Sequence, residues 1–158
     1  MTPDVIRDLA DALPAECLVT DRDLIESYRY DRATNTYRRI VEGDSPQVDP
    51  ADGNPVAPKN VIVMIVQFGP LDDGHPEKQR LEADIIGSGR AWISTNGRTI
   101  EGTWRKDEVT SATRFFDADG RPVTLTIGQT FIQVVDVGTK VTIRDGVLPD
   151  RRGGSAAS

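Results

Sequence analysis

The chain has 158 residues, 28% of them charged and 37% hydrophobic, enough apolar material to bury the core of one ordinary domain. Its formal net charge is −6, whereas phosphate backbones and anionic membrane surfaces call for clustered Lys and Arg, so no nucleic-acid partner is expected. One cysteine, Cys17, allows neither an intramolecular disulfide nor a thiolate zinc cluster.

The opening Met1-Thr2-Pro3-Asp4 has no basic stretch leading into an apolar core, so it does not read as a signal peptide. The apolar run over residues 61–66 is too short to span a bilayer, so no membrane insertion is expected. Thr2 can cap a first helix with Pro3 at its first position. Val5, Ile6, Leu9, Ala12 and Leu13 then recur at helical spacing until Pro14 ends it. Cys17-Leu18-Val19 is a short apolar run, after which Thr20 reads as the cap of a second short helix over residues 21–27. Residues 1–27 are thus expected to be a helical appendage, docked because neither helix is long enough to stand alone.

From Tyr28 the period becomes that of strands. Tyr28 and Tyr30 lead into an Asp31-to-Asn35 turn, and residues 37–41 return. Residues 45–58 carry prolines and an Asp52-Gly53 turn and read as loop with at most one edge strand. Residues 60–68 are almost wholly apolar and rich in β-branched side chains, the mark of a strand buried on both faces. A polar loop follows over residues 69–80. Residues 81–86 alternate moderately before Gly87-Ser88-Gly89 breaks them.

The strongest local signal is residues 90–95, Asn96-Gly97, then residues 98–106, a hairpin on a type I′ turn. A two-residue loop fixes the register: Thr95 opposite Arg98, Ile93 opposite Ile100, Ala91 opposite Gly102, and Trp104 over Gly89. Asp117-Ala118-Asp119-Gly120 is a second turn, between residues 114–116 and 123–125. Strands are further expected at residues 129–135 and 140–144. The reading is a mainly β fold: a small antiparallel barrel or sandwich over residues 28–146, with short N-terminal helices and a disordered tail at 147–158.

No catalytic constellation emerges, and the reading favours no enzyme and no cofactor. His75, the sole histidine, sits in a polar loop with no positioned partner and reads as an exposed loop residue. Cys17 reads as an inert thiol, since nothing basic precedes it locally. Asp117 to Gly120 lacks the further ligands of a calcium loop and reads as a plain turn, as do residues 49–54. Gly87-Ser88-Gly89 has neither the lysine nor the following helix of a phosphate loop and reads as a bulge or bend. Trp92 alternates with Ile93 and so points to the other face. It is the one residue singled out as a possible ligand-contact surface, against core packing as the ordinary reading.

Several groups of residues then point to a family. Tyr30-Asp31 with Thr34 to Arg39, Lys59 to Val63, and Asp84 to Ala91 come first, followed by Asn96-Gly97, Glu101 to Lys106, Thr113 to Asp117 and Gly128 to Ile132. Together, over about residues 28–144, they resemble the C-terminal domain of the YerB-like bacterial lipoproteins; one departure is Phe131, where tryptophan is expected. The resemblance implies a β-rich domain of unknown function, attached to an N-terminal domain and lipid-anchored outside the cytoplasmic membrane, with no catalytic residues to carry over. No lipid-attachment cysteine or larger domain is recognised in these residues.

The opening is similar to something else. Asp8-Leu9, Cys17 to Asp21, Leu24 to Tyr28 and Asp31 resemble the start of FAD-linked oxidases of the glycolate and D-lactate dehydrogenase type, though no pyrophosphate-holding glycine loop follows. Three functions are therefore carried forward. The first is a non-catalytic binding or structural module of the bacterial cell envelope, contacting an unidentified protein or envelope ligand. The others are an oxidase fragment fused to the β domain, and a carbohydrate or cell-wall binder using Trp92.

Overall fold

Asn96 and Gly97 both adopt positive φ, 48° and 72°, as a type I′ turn requires. This turn joins the two longest strands of the computed structural model, which describes residues 16–20, 25–41 and 45–144. In chain order the strands are β1 (Glu16–Thr20), β2 (Ile25–Asp31), β3 (Thr36–Val41), β4 (Asn60–Val66), β5 (Phe68–Pro70) and β6 (Leu81–Ala83). They continue as β7 (Gly87–Thr95), β8 (Arg98–Lys106), β9 (Arg114–Asp117), β10 (Thr130–Asp136) and β11 (Lys140–Arg144). One 3-10 turn, Pro76–Lys78, stands between β5 and β6.

Among the described residues the strands form a four-stranded sheet in the order β11-β1-β2-β3, a five-stranded sheet β10-β4-β7-β8-β9, and the small ribbon β5-β6. Every pairing is antiparallel except β10 with β4, which is parallel. The fold is mainly β, as expected, and takes the sandwich form: the two larger sheets pack on each other and neither closes into a barrel.

The second expected helix is corrected in part. Residues 25–27 are strand, the first part of β2, and β1 occupies Glu16–Thr20. The reason lies in the alternation of β2: Glu26, Tyr28 and Tyr30 share the face that meets the other sheet, and β1 and β11 extend the same sheet beside them. The first expected helix lies outside the described residues. Residues 123–125 are not a strand either. After the Phe116–Pro122 bridge and the Val123 N–H to Phe115 C=O bond (2.9 Å), the segment is drawn away toward Asn60.

β4 is the axis of the structure. Its residues are buried on both faces except for partial exposure at Ile65. One face, with Val61 and Val63, joins Tyr28, Tyr37, Trp92 and Val135, with Phe131, Val141 and Ile143 packed around them; this is the core between the sheets. The other face, with Ile62, Met64 and Val66, joins Ala91, Ile93 and Trp104 and is covered by Phe68, Ala83, Phe115, Val123 and Leu125. Burying a strand on both faces multiplies its apolar contacts but leaves its polar groups without water, so each must find a partner.

The register of β7 on β8 is the one expected, down to Gly89 opposite Trp104. A Cβ at Gly89 would stand 2.6 Å from Trp104 Nε1 and 2.7 Å from the Ile65 carbonyl, so only glycine admits the indole. β7 pairs with β4 only as far as Ala91 opposite Met64. Beyond it, Trp104 Nε1 donates to the Ile65 carbonyl at 2.8 Å, replacing the missing ladder bond with a side chain. Gly87 and Gly89 thus belong to β7 itself rather than to a break before it.

Asn60 does a similar task at the other end of β4. Fully buried, it donates through Nδ2 to the Thr126 carbonyl (2.8 Å) and to Thr130 Oγ1 (3.0 Å). Its Oδ1 accepts from Thr95 Oγ1 (2.7 Å) and from Thr126 N–H (2.9 Å). All four capacities of this network tie β4 to β7, β10 and the segment before β10. Asn60→Ala is expected to cost about 2–3 kcal/mol, because it strands buried donors and acceptors. Chemical denaturation checks it; an unchanged midpoint would remove Asn60 from the fastening.

Candidate functional site

Of the residues singled out from the sequence, the structure brings none together into a reacting centre. His75 lies in the exposed loop before the 3-10 turn, with Nδ1 3.2 Å from Glu77 Oε1. Cys17 lies on β1. Asp117 uses its carboxylate within its own turn, where Oδ1 accepts from the N–H groups of Asp119 (2.9 Å) and Arg121 (2.8 Å). Asp49 and Asp52 do likewise, accepting from Ala51 and Asn54 N–H at 2.9 Å each. The Asn54 N–H holds the Asp52 carboxyl below its usual range. These are turn carboxylates, not paired acid and base.

Trp92 is corrected from surface to interior. It does point to the face opposite Ile93, but that face is covered by the four-stranded sheet, and the residue is only 7% exposed. The Arg90 guanidinium lies over its ring, 4.4 Å from the centroid, and Arg90 Nε donates to Glu101 Oε1 at 2.8 Å. The ring is thus packed below and capped above.

The polar cluster with the most unusual environment was not foreseen. It is built on Arg39 of β3, which faces Tyr28 across the β2–β3 pairing. Arg39 is ion-paired with Glu26 and hydrogen-bonded to the Gln47 side chain, and its Nε donates to Tyr28 Oη at 3.3 Å. Tyr28 Oη in turn donates to the Gln133 side chain of β10. The guanidinium also lies over the Phe131 ring of β10, 5.1 Å from its centroid. The Arg39 and Glu26 side chains are only 11% and 10% exposed, so this is a buried pair rather than a surface one.

One atom of that cluster is left over. Glu26 Oε2 is buried with no hydrogen-bond partner. A carboxylate in this setting depends on Arg39 for nearly all its compensation. No signal in β2 alone could have found the cluster: Arg39 and Gln133 approach Glu26 and Tyr28 only through the folding of β3 and β10 onto β2.

The cluster works mechanically. It joins β2 and β3 of one sheet to β10, the edge strand of the other, by a hydrogen bond and a cation–π contact. At the hairpin end Tyr37 does the same: its Oη accepts from Gly97 N–H at 2.9 Å, while the Tyr30 ring packs on Gly97. Among the described residues, no group of three or more His, Cys, Asp or Glu converges as metal ligands would. No helix of the described residues is long and apolar enough to cross a membrane.

Comparison with known proteins places this geometry. Residues 18–132 match the family model described as the C-terminal domain of a protein of unknown function, DUF3048. A solved structure, that of the YerB protein from Bacillus subtilis, is similar with a TM-score of 0.66 and 21% identity. That similarity takes in 82% of this chain and 44% of the solved one, so the chain spans less than half of the YerB protein's length. Among curated proteins, none matches. Nothing found supports the resemblance of the opening to flavin oxidases, and residues 17–20 and 25–28, which carried part of it, pair with each other as β1 and β2.

Proposed function

The chain belongs to the family of DUF3048 C-terminal domains, and from that premise we propose that it is a non-catalytic binding or structural module of the bacterial cell-envelope type. The observation that carries this reading is how the interior uses its polar groups. Asn60, Trp104, Tyr37, Tyr28 and Arg39 each hold one strand to another. A reacting centre needs a positioned acid, base or nucleophile free to meet a substrate. Here these five side chains are occupied in fastening, and the domain offers its surface and edges instead.

The envelope part of the reading rests on the resemblance of residues 28–144 to the YerB-like lipoproteins. Intact cells making the complete protein, tagged at its C-terminus, test it by protease treatment without lysis. Loss of the tag from intact cells is expected. A tag protected until the cells are lysed, with the protease shown to be active, would overturn the envelope assignment.

A further inference from the structure

We propose that two copies of this chain pair along β10, antiparallel about a two-fold axis at Gln133, joining their five-stranded sheets into one. β10 stands at the end of its sheet, bonded on one side to β4. The Gln129 carbonyl accepts from Asn60 N–H (3.2 Å), which sets the phase of the parallel ladder. Phe131, Gln133 and Val135 therefore turn their backbone groups toward β4, and Thr130, Ile132 and Val134 turn theirs outward, as does the Asp136 N–H; the Asp136 carbonyl accepts from Thr139 N–H at 2.9 Å in the following turn.

The other end strands of the two larger sheets have managed edges. β3 is covered by the loop after it, through Arg39 N–H to Val56 C=O (2.9 Å) and Gln47 N–H to Arg39 C=O (2.7 Å). β9 is covered by Asp117 N–H to Arg121 C=O (2.9 Å) and Val123 N–H to Phe115 C=O (2.9 Å). β11, at the end of the four-stranded sheet, is bracketed by Lys140 and Arg144, charges of the kind that discourage edge pairing. Among the described residues, β10 has none of these devices. Its sequence, Thr-Phe-Ile-Gln-Val-Val-Asp, holds no Pro, Gly, Lys or Arg, and its one charge is at the end.

A second copy fits this edge better than an arbitrary strand because the edge is complementary to itself. In the antiparallel register centred on Gln133, Ile132 stands opposite Val134 of the second copy and Thr130 opposite its Asp136. Ile132 and Val134 then pair in full, the Thr130 carbonyl can accept from the Asp136 N–H, and no charge meets a like charge. Ile132 and Val134, 44% and 38% exposed on the same face, cover one another. The register also brings the two apolar residues flanking the strand together: Ile127, 96% exposed, meets the turn that carries Val137, 57% exposed, of the second copy. From within, Tyr28 and Arg39 hold Gln133 and Phe131, so the edge is rigid before it binds.

Sedimentation of the wild-type chain and of the double variant Ile132→Lys, Val134→Lys tests the proposal, since the variant sets lysine against lysine across the axis. The wild type is expected to be a concentration-dependent dimer, and the variant to dimerise about tenfold more weakly or worse. Amide hydrogen exchange of the unaltered chain gives a second readout that needs no variant: Ile132 and Val134 amides should gain protection as concentration rises. A wild type that stays monomeric, a dimer undiminished in the folded variant, or concentration-independent exchange at both amides would each overturn it. Protection of those amides only in the longer protein, with this chain monomeric, would assign the edge to another domain and overturn the second-copy reading.

Discussion

Gly102→Ala is expected to lower the melting temperature by about 10 °C or more, the loss of about 3 kcal/mol in a domain of this size. Gly102 lies on β8 between Ala91 of β7 and Asp117 of β9. A Cβ there would stand 1.9 Å from the Phe116 carbonyl oxygen and 3.1 Å from the Asp117 Cα. Both are backbone atoms of a paired strand, so no side chain can swing aside to admit the methyl group. Either β9 must separate from β8 or the sheet must bend, and Phe115, which covers the second core face, would move with it. Gly138→Ala is the control: nothing lies within 4 Å of the place its methyl group would take, and the change should stay within about 0.5 kcal/mol. Equal melting of the two variants would mean that the β8–β9 approach is not as close as described.

Local signals were legible in the sequence wherever the partner was near in the chain. Asn96-Gly97 set the β7–β8 register, and from it alone Trp104 fell over Gly89. The apolar run of β4 announced burial on both faces. What stayed hidden depended on distant partners. The start of β2, residues 25–27, did not look like strand because its inward set includes Glu26, a charge tolerated there only because Arg39 meets it from β3. The placement of Trp92 failed for a related reason. Its face was read correctly, but the sheet that covers that face is built partly from residues 16–20, 25–31 and 140–144. The parallel pairing of β10 with β4 gave no local sign either, since the two strands are joined by the whole of β5 to β9.

The same distinction explains the candidate site. Single residues with chemical reputations, His75 and the turn aspartates, were visible at once and proved to serve their own loops. The Glu26–Arg39–Tyr28–Gln133 cluster was invisible because three strands from two sheets supply it. Its residues look ordinary in sequence. Only their burial and mutual orientation make them distinctive.

The claim that this polar interior fastens strands, rather than serving a reaction, is tested most directly by a double-mutant cycle on Glu26 and Arg39. Arg39→Met alone leaves a buried carboxylate whose Oε2 already lacks a partner, and should cost about 3–5 kcal/mol. Glu26→Leu alone strands the guanidinium and should cost a similar amount, reduced by the Gln47 and Tyr28 bonds that remain. The double variant replaces the pair by apolar side chains and should melt above either single variant, close to the wild type. Single variants that melt with the wild type, or a double variant whose loss is the sum of the two, would contradict the fastening role.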